Sequence, residues 1–182
     1  MTYQNKFLTL ASVGAATIAA TDVAADSSFD GAYAGIGLGM LNGTGGDDYN
    51  YAMQSNGANL FAGFNAVTST GWMYGLEAGG WATDHTSESD YGIGSLLSAK
   101  LRVGRVFDKT LVYAAAGVWG GEYTWDSDEE GEGFLFGVGF EQNMSDTMFV
   151  GIDYTINAAD ADQYKLENGS IGTMSLRGGF RF

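Results

Sequence analysis

Residues 172–182, which end the chain, alternate strictly between two kinds of side chain. Met174, Leu176, Gly178, Phe180 and Phe182 fall on one face, and Thr173, Ser175, Arg177, Gly179 and Arg181 fall on the other. A period of two predicts a β-strand with unlike faces. A strand that ends a chain with Phe on its apolar side is typical of the closing strand of a membrane barrel, whose apolar face meets lipid while its polar face meets the lumen.

Seven further segments alternate in the same way. The predicted strands are residues 31–40, 57–65, 71–82, 93–106, 110–124, 133–142, 147–157 and 172–182. A length of about ten residues suits a tilted β-strand that crosses a bilayer. The sequence therefore predicts an all-β fold, an eight-stranded antiparallel up-and-down transmembrane β-barrel.

The fifth predicted strand is ambiguous because both of its faces are largely apolar. Placing Glu122 inward turns Leu111, Tyr113, Trp119 and Tyr123 outward. The aromatic residues then form two levels, as the two interfaces of a membrane require. The predicted level near the short turns is Phe64, Trp72, Tyr74, Tyr113, Phe140, Phe180 and Phe182, and the predicted level near the long loops is Trp119, Tyr123, Trp125 and Tyr154.

The connections alternate between short and long. Residues 66–70, 107–109 and 143–146 are short, and residues 41–56, 83–92, 125–132 and 158–171 are longer and polar. Thirteen of the 22 acidic residues fall in the long connections, with Lys165 as their one base among the eight of the chain. Short periplasmic turns and long extracellular loops are the outer-membrane pattern. We therefore expect acidic loops on the outside of the cell.

The first residues predict a secretory signal. Lys6 precedes a mildly apolar run over residues 7–20, and Val23-Ala24-Ala25 supplies small residues for cleavage. We expect residues 1–25 to be a signal peptide and residues 26–182 to form the barrel domain. The alternative is a retained amphipathic or transmembrane helix, but the run is short and rich in Ala, Thr and Ser for a membrane span.

Composition excludes several classes of protein. The chain has no Cys and one His, so thiolate chemistry and sites with several histidines are ruled out, and we expect no cofactor and no bound metal. A net charge of −14 argues against nucleic acid as a partner. The 29 Gly interspersed with aromatic residues suit strands that approach closely and curve.

The inward positions carry charges that we expect to pair. An eight-stranded barrel is just wide enough for side chains to fill, and unpaired charges there are costly. The predicted lumen network is Glu77, Lys100, Arg102, Glu122, Glu141, Asp153, Arg177 and Arg181, with Glu77–Arg102 as the first expected contact. The alternative is that some of these residues lie at a rim and are solvated, with Arg181 the first candidate. Paired charges predict a polar plug with at most a narrow water path.

Six stretches after the predicted signal together carry a family resemblance, namely residues 72–77, 101–107, 111–117, 136–141, 150–154 and 178–182. They resemble the small outer-membrane β-barrel surface proteins (OmpA-like and OmpX-like), especially the porin-family surface antigens of alphaproteobacteria, and the resemblance covers the chain after the signal. It implies that the C-terminal aromatics Phe180 and Phe182 are the signal for the outer-membrane assembly machinery. It also implies outer-membrane lipid and lipopolysaccharide as surroundings, and a monomer. No peptidoglycan-binding domain follows in this sequence, so a cell-wall anchor of the OmpA type is not implied.

Other chemistry fits the sequence less well. Residues 126–131 resemble the opening of a calcium loop, but Gly137 stands where the bidentate Glu is needed, so a solvated acidic loop is the simpler interpretation. His85, Ser87 and Glu88 suggest a hydrolase such as a lipid A deacylase, although no oxyanion element accompanies them. We therefore predict a protein that is not an enzyme and has a structural and surface role in the outer membrane. A narrow porin is the alternative function, and a soluble barrel of the lipocalin type is the alternative fold.

Overall fold

A computed structural model describes residues 28–45, 51–84, 91–125, 127–159 and 170–182. The strands are β1 (Gly31–Gly45), β2 (Tyr51–Val67), β3 (Trp72–Asp84), β4 (Tyr91–Phe107), β5 (Thr110–Trp125), β6 (Ser127–Asn143), β7 (Met148–Ala159) and β8 (Ser170–Arg181). They pair in chain order into a closed antiparallel barrel, in which β8 returns to pair with β1. The predicted fold class is confirmed. Within the described residues no helix is long and apolar enough to cross a membrane.

Large apolar side chains cover the outside of the barrel. Leu38, Phe134 and Leu176 are 66%, 64% and 67% exposed, whereas Arg102 and Arg177 are buried inside. The predicted facing is confirmed for every strand except β5. A soluble barrel of the lipocalin type needs the opposite arrangement, so the alternative fold is wrong.

The predicted facing of β5 is wrong. Leu111, Tyr113 and Trp119 point into the barrel, where they are at most 2% exposed. Tyr113 lies over Gly139 of β6, and the Trp119 indole N–H donates to the Ala158 carbonyl at 3.1 Å. These cross-strand neighbours decide the facing of a strand that is apolar on both sides. Tyr113 and Trp119 are consequently interior residues and do not belong to the aromatic levels at the membrane interfaces.

The strands are longer than the sequence pattern predicts, at 12–17 residues. They extend into every predicted long loop, and residue 126 alone separates β5 from β6. Backbone pairing continues past the apolar segments because ladder hydrogen bonds form whatever the side chains are. The predicted loop over residues 125–132 is therefore mostly the end of a hairpin.

An irregularity in β4 turns an additional apolar side chain inward. The register of β4 against β5 shifts between Ile93 and Leu96, and both residues are buried. The Thr83 hydroxyl of β3 contacts the Ile93 carbonyl and donates to the Gly94 carbonyl at 2.9 Å. Ile93 and Leu96 thereby join a buried apolar cluster at the loop end of the barrel. Its members are Leu41, Trp81, Ile93, Leu96, Trp119, Leu135 and Ile171.

The opposite mouth is crossed by residues 28–30, the N-terminal segment. Asn143 of β6 donates to the Ser28 hydroxyl at 2.7 Å, and the Val67 amide of β2 donates to the Asp30 carboxylate at 2.8 Å. Strands β2 and β6 are four positions apart in a closed ring of eight, so they lie on opposite sides. Phe29, between these two anchors, is fully buried. The N-terminal segment therefore spans the short-turn mouth and closes it with an aromatic ring.

Candidate functional site: the charged lumen

Glu77 of β3 is the centre of the charged group inside the barrel. Its carboxylate lies 2.6 Å from Arg177 Nη2, 3.1 Å from Lys100 Nζ and 3.2 Å from Arg102 Nη1. The Tyr33 hydroxyl also donates to it at 2.8 Å. Arg177 places two nitrogens on the two carboxylate oxygens, which is the strongest geometry available to this pair.

Two further carboxylates extend the group toward each end. Glu141 accepts from Arg102 Nη2 at 2.5 Å and from Arg181 Nη2 at 2.6 Å, toward the short turns. Asp153 accepts from Lys100 Nζ at 2.8 Å and from the Tyr113 hydroxyl at 2.6 Å. All three carboxylates thus hold at least one cationic group, which satisfies the requirement that buried charges be paired.

The structure brings together seven of the eight predicted lumen residues, namely Glu77, Lys100, Arg102, Glu141, Asp153, Arg177 and Arg181. The eighth, Glu122, has its side chain outside the described residues. Among the described residues the group holds three acids and four bases. Arg181 is 6% exposed, so the alternative of a solvated rim position does not hold for it.

Aromatic rings support the arginines, a feature that the sequence analysis missed. Arg177 lies 3.7 Å from the ring centroid of Phe61, and Arg102 lies 3.8 Å from that of Tyr113. Arg181 lies between Phe29 and Phe149, at 4.6 and 4.4 Å. Cation–π contacts strengthen when water is excluded, so these rings hold the guanidinium planes in place. The available signal was the aromatic residue at an inward position of β1, β2 and β7, namely Tyr33, Phe61 and Phe149.

Inward glycines make the room for these rings. Tyr33, Phe61, Tyr113 and Phe149 each lie over the glycine directly opposite on the neighbouring strand. The pairs are Tyr33–Gly63, Phe61–Gly35, Tyr113–Gly139 and Phe149–Gly179. A Cβ on Gly179 would lie 2.7 Å from Phe149 Cζ, closer than real contacts allow. The many glycines of the chain are thus partly explained by an interior filled with aromatic rings.

A small cavity remains between the charged group and the apolar cluster at the loop end. Its volume is about 20 Å³, and its lining includes Asn59, Ser98, Lys100, Asp153 and Thr155. A polar cavity of this size holds about one water molecule. The Oδ1 atom of Asn59 is buried there without a protein partner, which suits such a water.

Other predicted features fall outside the described residues. They are the signal peptide over residues 1–25, which stays a prediction, the His85, Ser87 and Glu88 group, and the side chains of the acidic stretch from 126 to 130. Among the residues that are described, no cluster of three or more His, Asp or Glu is arranged to hold a metal ion.

A closed antiparallel barrel of eight strands, apolar outside and filled with paired charges inside, defines a small outer-membrane β-barrel protein. The sequence profile of the outer membrane protein beta-barrel domain matches residues 8–180. The chain belongs to this family, and its place is the outer membrane of Gram-negative bacteria. The predicted resemblance and localisation are confirmed.

Solved structures of three bacterial barrels share the fold. Ail, the attachment invasion locus protein of Yersinia pestis, is 18% identical with a TM-score of 0.53, over 84% of this chain and 99% of its own. Neisserial surface protein A is 12% identical with a TM-score of 0.57, over 86% and 98%. The N-terminal barrel domain of Pseudomonas aeruginosa OprF is 12% identical with a TM-score of 0.50, over 84% and 98%. No curated protein sequence matches the chain. At these identities the likeness concerns the fold alone.

Proposed function

We propose that the protein is a non-enzymatic, non-conducting barrel that stabilises the outer membrane and displays acidic loops to the cell exterior. The observation that carries this proposal is the filled lumen: the ion-pair group lies between a buried apolar cluster and the N-terminal segment. Moving an ion through such an interior requires breaking buried pairs, which is costly.

Planar-bilayer recording on the purified, refolded protein tests the closed lumen. We expect no discrete conductance steps, while the same sample shows the heat-dependent shift in gel migration of a folded barrel. Discrete steps would instead favour the alternative, a narrow porin, whose support is the charge of the interior and the small cavity beside Lys100.

The proposed surface role concerns a partner of positive charge. The Ail barrel has been solved with the heparin analogue sucrose octasulfate, a polyanion. The present chain carries a net charge of −14, with acids concentrated in the predicted loops, so electrostatics disfavours the same ligand.

We expect refolded protein to bind polylysine and not sucrose octasulfate in calorimetric titrations. A variant with residues 126, 128, 129, 130 and 132 changed to Asn or Gln should lose polylysine affinity. Binding of sucrose octasulfate would contradict the proposal.

The absence of enzymatic activity is part of the proposal and is supported by the lumen, where every carboxylate of the charged group is occupied by a cation. His85→Ala provides the test, because His85 is the single histidine of the chain. We expect the lipid A of cells that express the wild type and the variant to give the same mass spectrum. A modification of lipid A that requires His85 would overturn this part of the proposal.

A further inference from the structure

Arg105 of β4 is a basic residue on the lipid-facing side of the barrel. Along β4, Lys100 and Arg102 point inward while Leu101 and Val103 are exposed, so the parity of Arg105 is outward. Of the eight bases of the chain, four lie in the lumen, and Lys6 and Lys165 are outside the described residues. Arg105 and Lys109 are the two that remain. Both are at the short-turn end, which is periplasmic in outer-membrane barrels.

The guanidinium of Arg105 lies against an aromatic ring at the rim. Trp72 is its direct cross-strand partner on β3, and the guanidinium carbon lies 5.4 Å from the Trp72 ring centroid. The turn before β3 is tied to β4, since the Val106 amide donates to the Gly71 carbonyl at 2.8 Å. Trp72 and Arg105 therefore occupy a fixed place beside a short turn. Among the described carboxylates, none forms an ion pair with Arg105.

The neighbouring side chains place this pair at the depth of the lipid headgroups. Trp72, Tyr74 and Phe107 are 44%, 52% and 58% exposed on the outside of the barrel at this end. Trp and Tyr concentrate at membrane interfaces, with the ring in the boundary region and the polar edge toward the headgroups. A guanidinium at that depth, with no ion-pair partner among the described residues, lies within reach of lipid phosphates, and the phosphate diester of a phospholipid matches its donor fork.

We propose that Arg105 and Trp72 form a binding site for the phosphate of a phospholipid in the periplasmic leaflet. The guanidinium donates to the phosphate oxygens, and its contact with the indole ring of Trp72 fixes its orientation. Lys109 carries the same charge in the next turn without a described aromatic partner, so it attracts anionic lipid less specifically. The proposal depends on the outer-membrane placement of the barrel and not on whether the lumen conducts.

Native mass spectrometry of the refolded protein in detergent tests the site. The probes are dimyristoyl phosphatidylglycerol, the matching diacylglycerol without a phosphate, and inorganic phosphate. We expect the wild type to retain phosphatidylglycerol and neither of the other two. Arg105→Gln should weaken the apparent affinity about fivefold or more, and Lys109→Gln, which removes the same charge, less than about twofold.

Arg105→Lys separates fork geometry from charge and serves if Arg105→Gln fails to fold. It keeps the charge but loses the planar fork, so we expect an intermediate affinity. Equal loss in Arg105→Gln and Lys109→Gln would overturn the site in favour of general electrostatic attraction. Retention of diacylglycerol equal to that of phosphatidylglycerol, or competition by inorganic phosphate at the same concentration, would also overturn it.

Discussion

Glu77 carries more of the lumen contacts than any other described carboxylate, because Lys100, Arg102 and Arg177 all lie within 3.2 Å of it. Its side chain is 3% exposed, so water cannot replace a lost charge there. The inward parity of these residues was predictable from alternation. The identity of each pair was not, because strand stagger decides which inward residues share a level.

Replacing Glu77 by Gln should destabilise the barrel strongly. The change leaves three buried cations without their shared anion, and breaking a buried pair costs about 3–5 kcal/mol. Urea unfolding in lipid vesicles, followed by tryptophan fluorescence, measures the free energy of unfolding. Asp146→Asn, which removes a carboxylate from an exposed turn, is the control and should change it by less than about 0.5 kcal/mol. Equal effects of the two substitutions would show that the Glu77 contacts do not stabilise the fold.

Adjacent glycines of β8 should respond differently to the same substitution. Gly179→Ala pushes a methyl group into the Phe149 ring and toward the Ala34 carbonyl at 2.5 Å, so we expect a loss of about 1–3 kcal/mol. Gly178→Ala points toward lipid, where the nearest atom is 3.7 Å away, and should be tolerated. The unfolding measurement used for Glu77 compares them. A Gly178→Ala variant as unstable as Gly179→Ala would mean that ring–glycine packing is not the reason.

At the scale of the strands, β5 shows where sequence patterns stop being informative. β8 alternates apolar and polar side chains, so its facing follows from hydropathy alone. β5 is apolar on both sides, since Val112 and Ala114 face lipid while Leu111 and Tyr113 fill the interior. Its facing depends on the size of the cross-strand neighbours, and Gly139 provides the space for Tyr113. A hydropathy pattern does not say which residues lie opposite each other on neighbouring strands, so it cannot predict the facing of β5.

The C-terminal end of β8 gives a prediction about assembly. Phe180 and Phe182 are 54% and 82% exposed, and the family resemblance implies that they are the signal for the assembly machinery. We expect Phe182→Ser to lower recovery of the protein in outer-membrane fractions several-fold, as judged by immunoblot. Phe107→Ser removes another exposed aromatic at the same end, 58% exposed, and should leave recovery nearly unchanged. Equal losses would mean that Phe182 acts only as an apolar surface residue.

At the scale of the whole molecule, the described part of the interior is packed by different means toward its two ends. An apolar cluster of β-strand side chains lies toward the loop end, and the N-terminal segment crosses the short-turn end. The closed ring of eight strands was predictable from period and count. The N-terminal segment was not, because residues 28–30 carry no periodic pattern and their role depends on Asn65, Val67 and Asn143, far along the chain.

Removing the Phe29 ring should destabilise the molecule without opening it. Phe29 is fully buried and packs with Val67, Met73, Leu111 and Tyr113, so Phe29→Ala should cost about 3–5 kcal/mol. The ion pairs of Glu77 remain in place, so we expect the variant to stay silent in planar-bilayer recordings. Conductance steps in this variant alone would show that Phe29, and not the charged group, is the barrier.

The two anchors of the N-terminal segment also impose an order in time. Residues 28–30 leave the ribosome before every strand, yet their partners belong to β2 and to the far end of β6. The first part of the barrel to be synthesised can therefore be seated only after β6 is in place. Phe29 is fully buried in the finished barrel and the chain has no cysteine, so the single thiol of Phe29→Cys would lose its accessibility to a thiol reagent at that moment. The burial of the N-terminal segment therefore marks the stage of assembly at which β6 has joined the barrel.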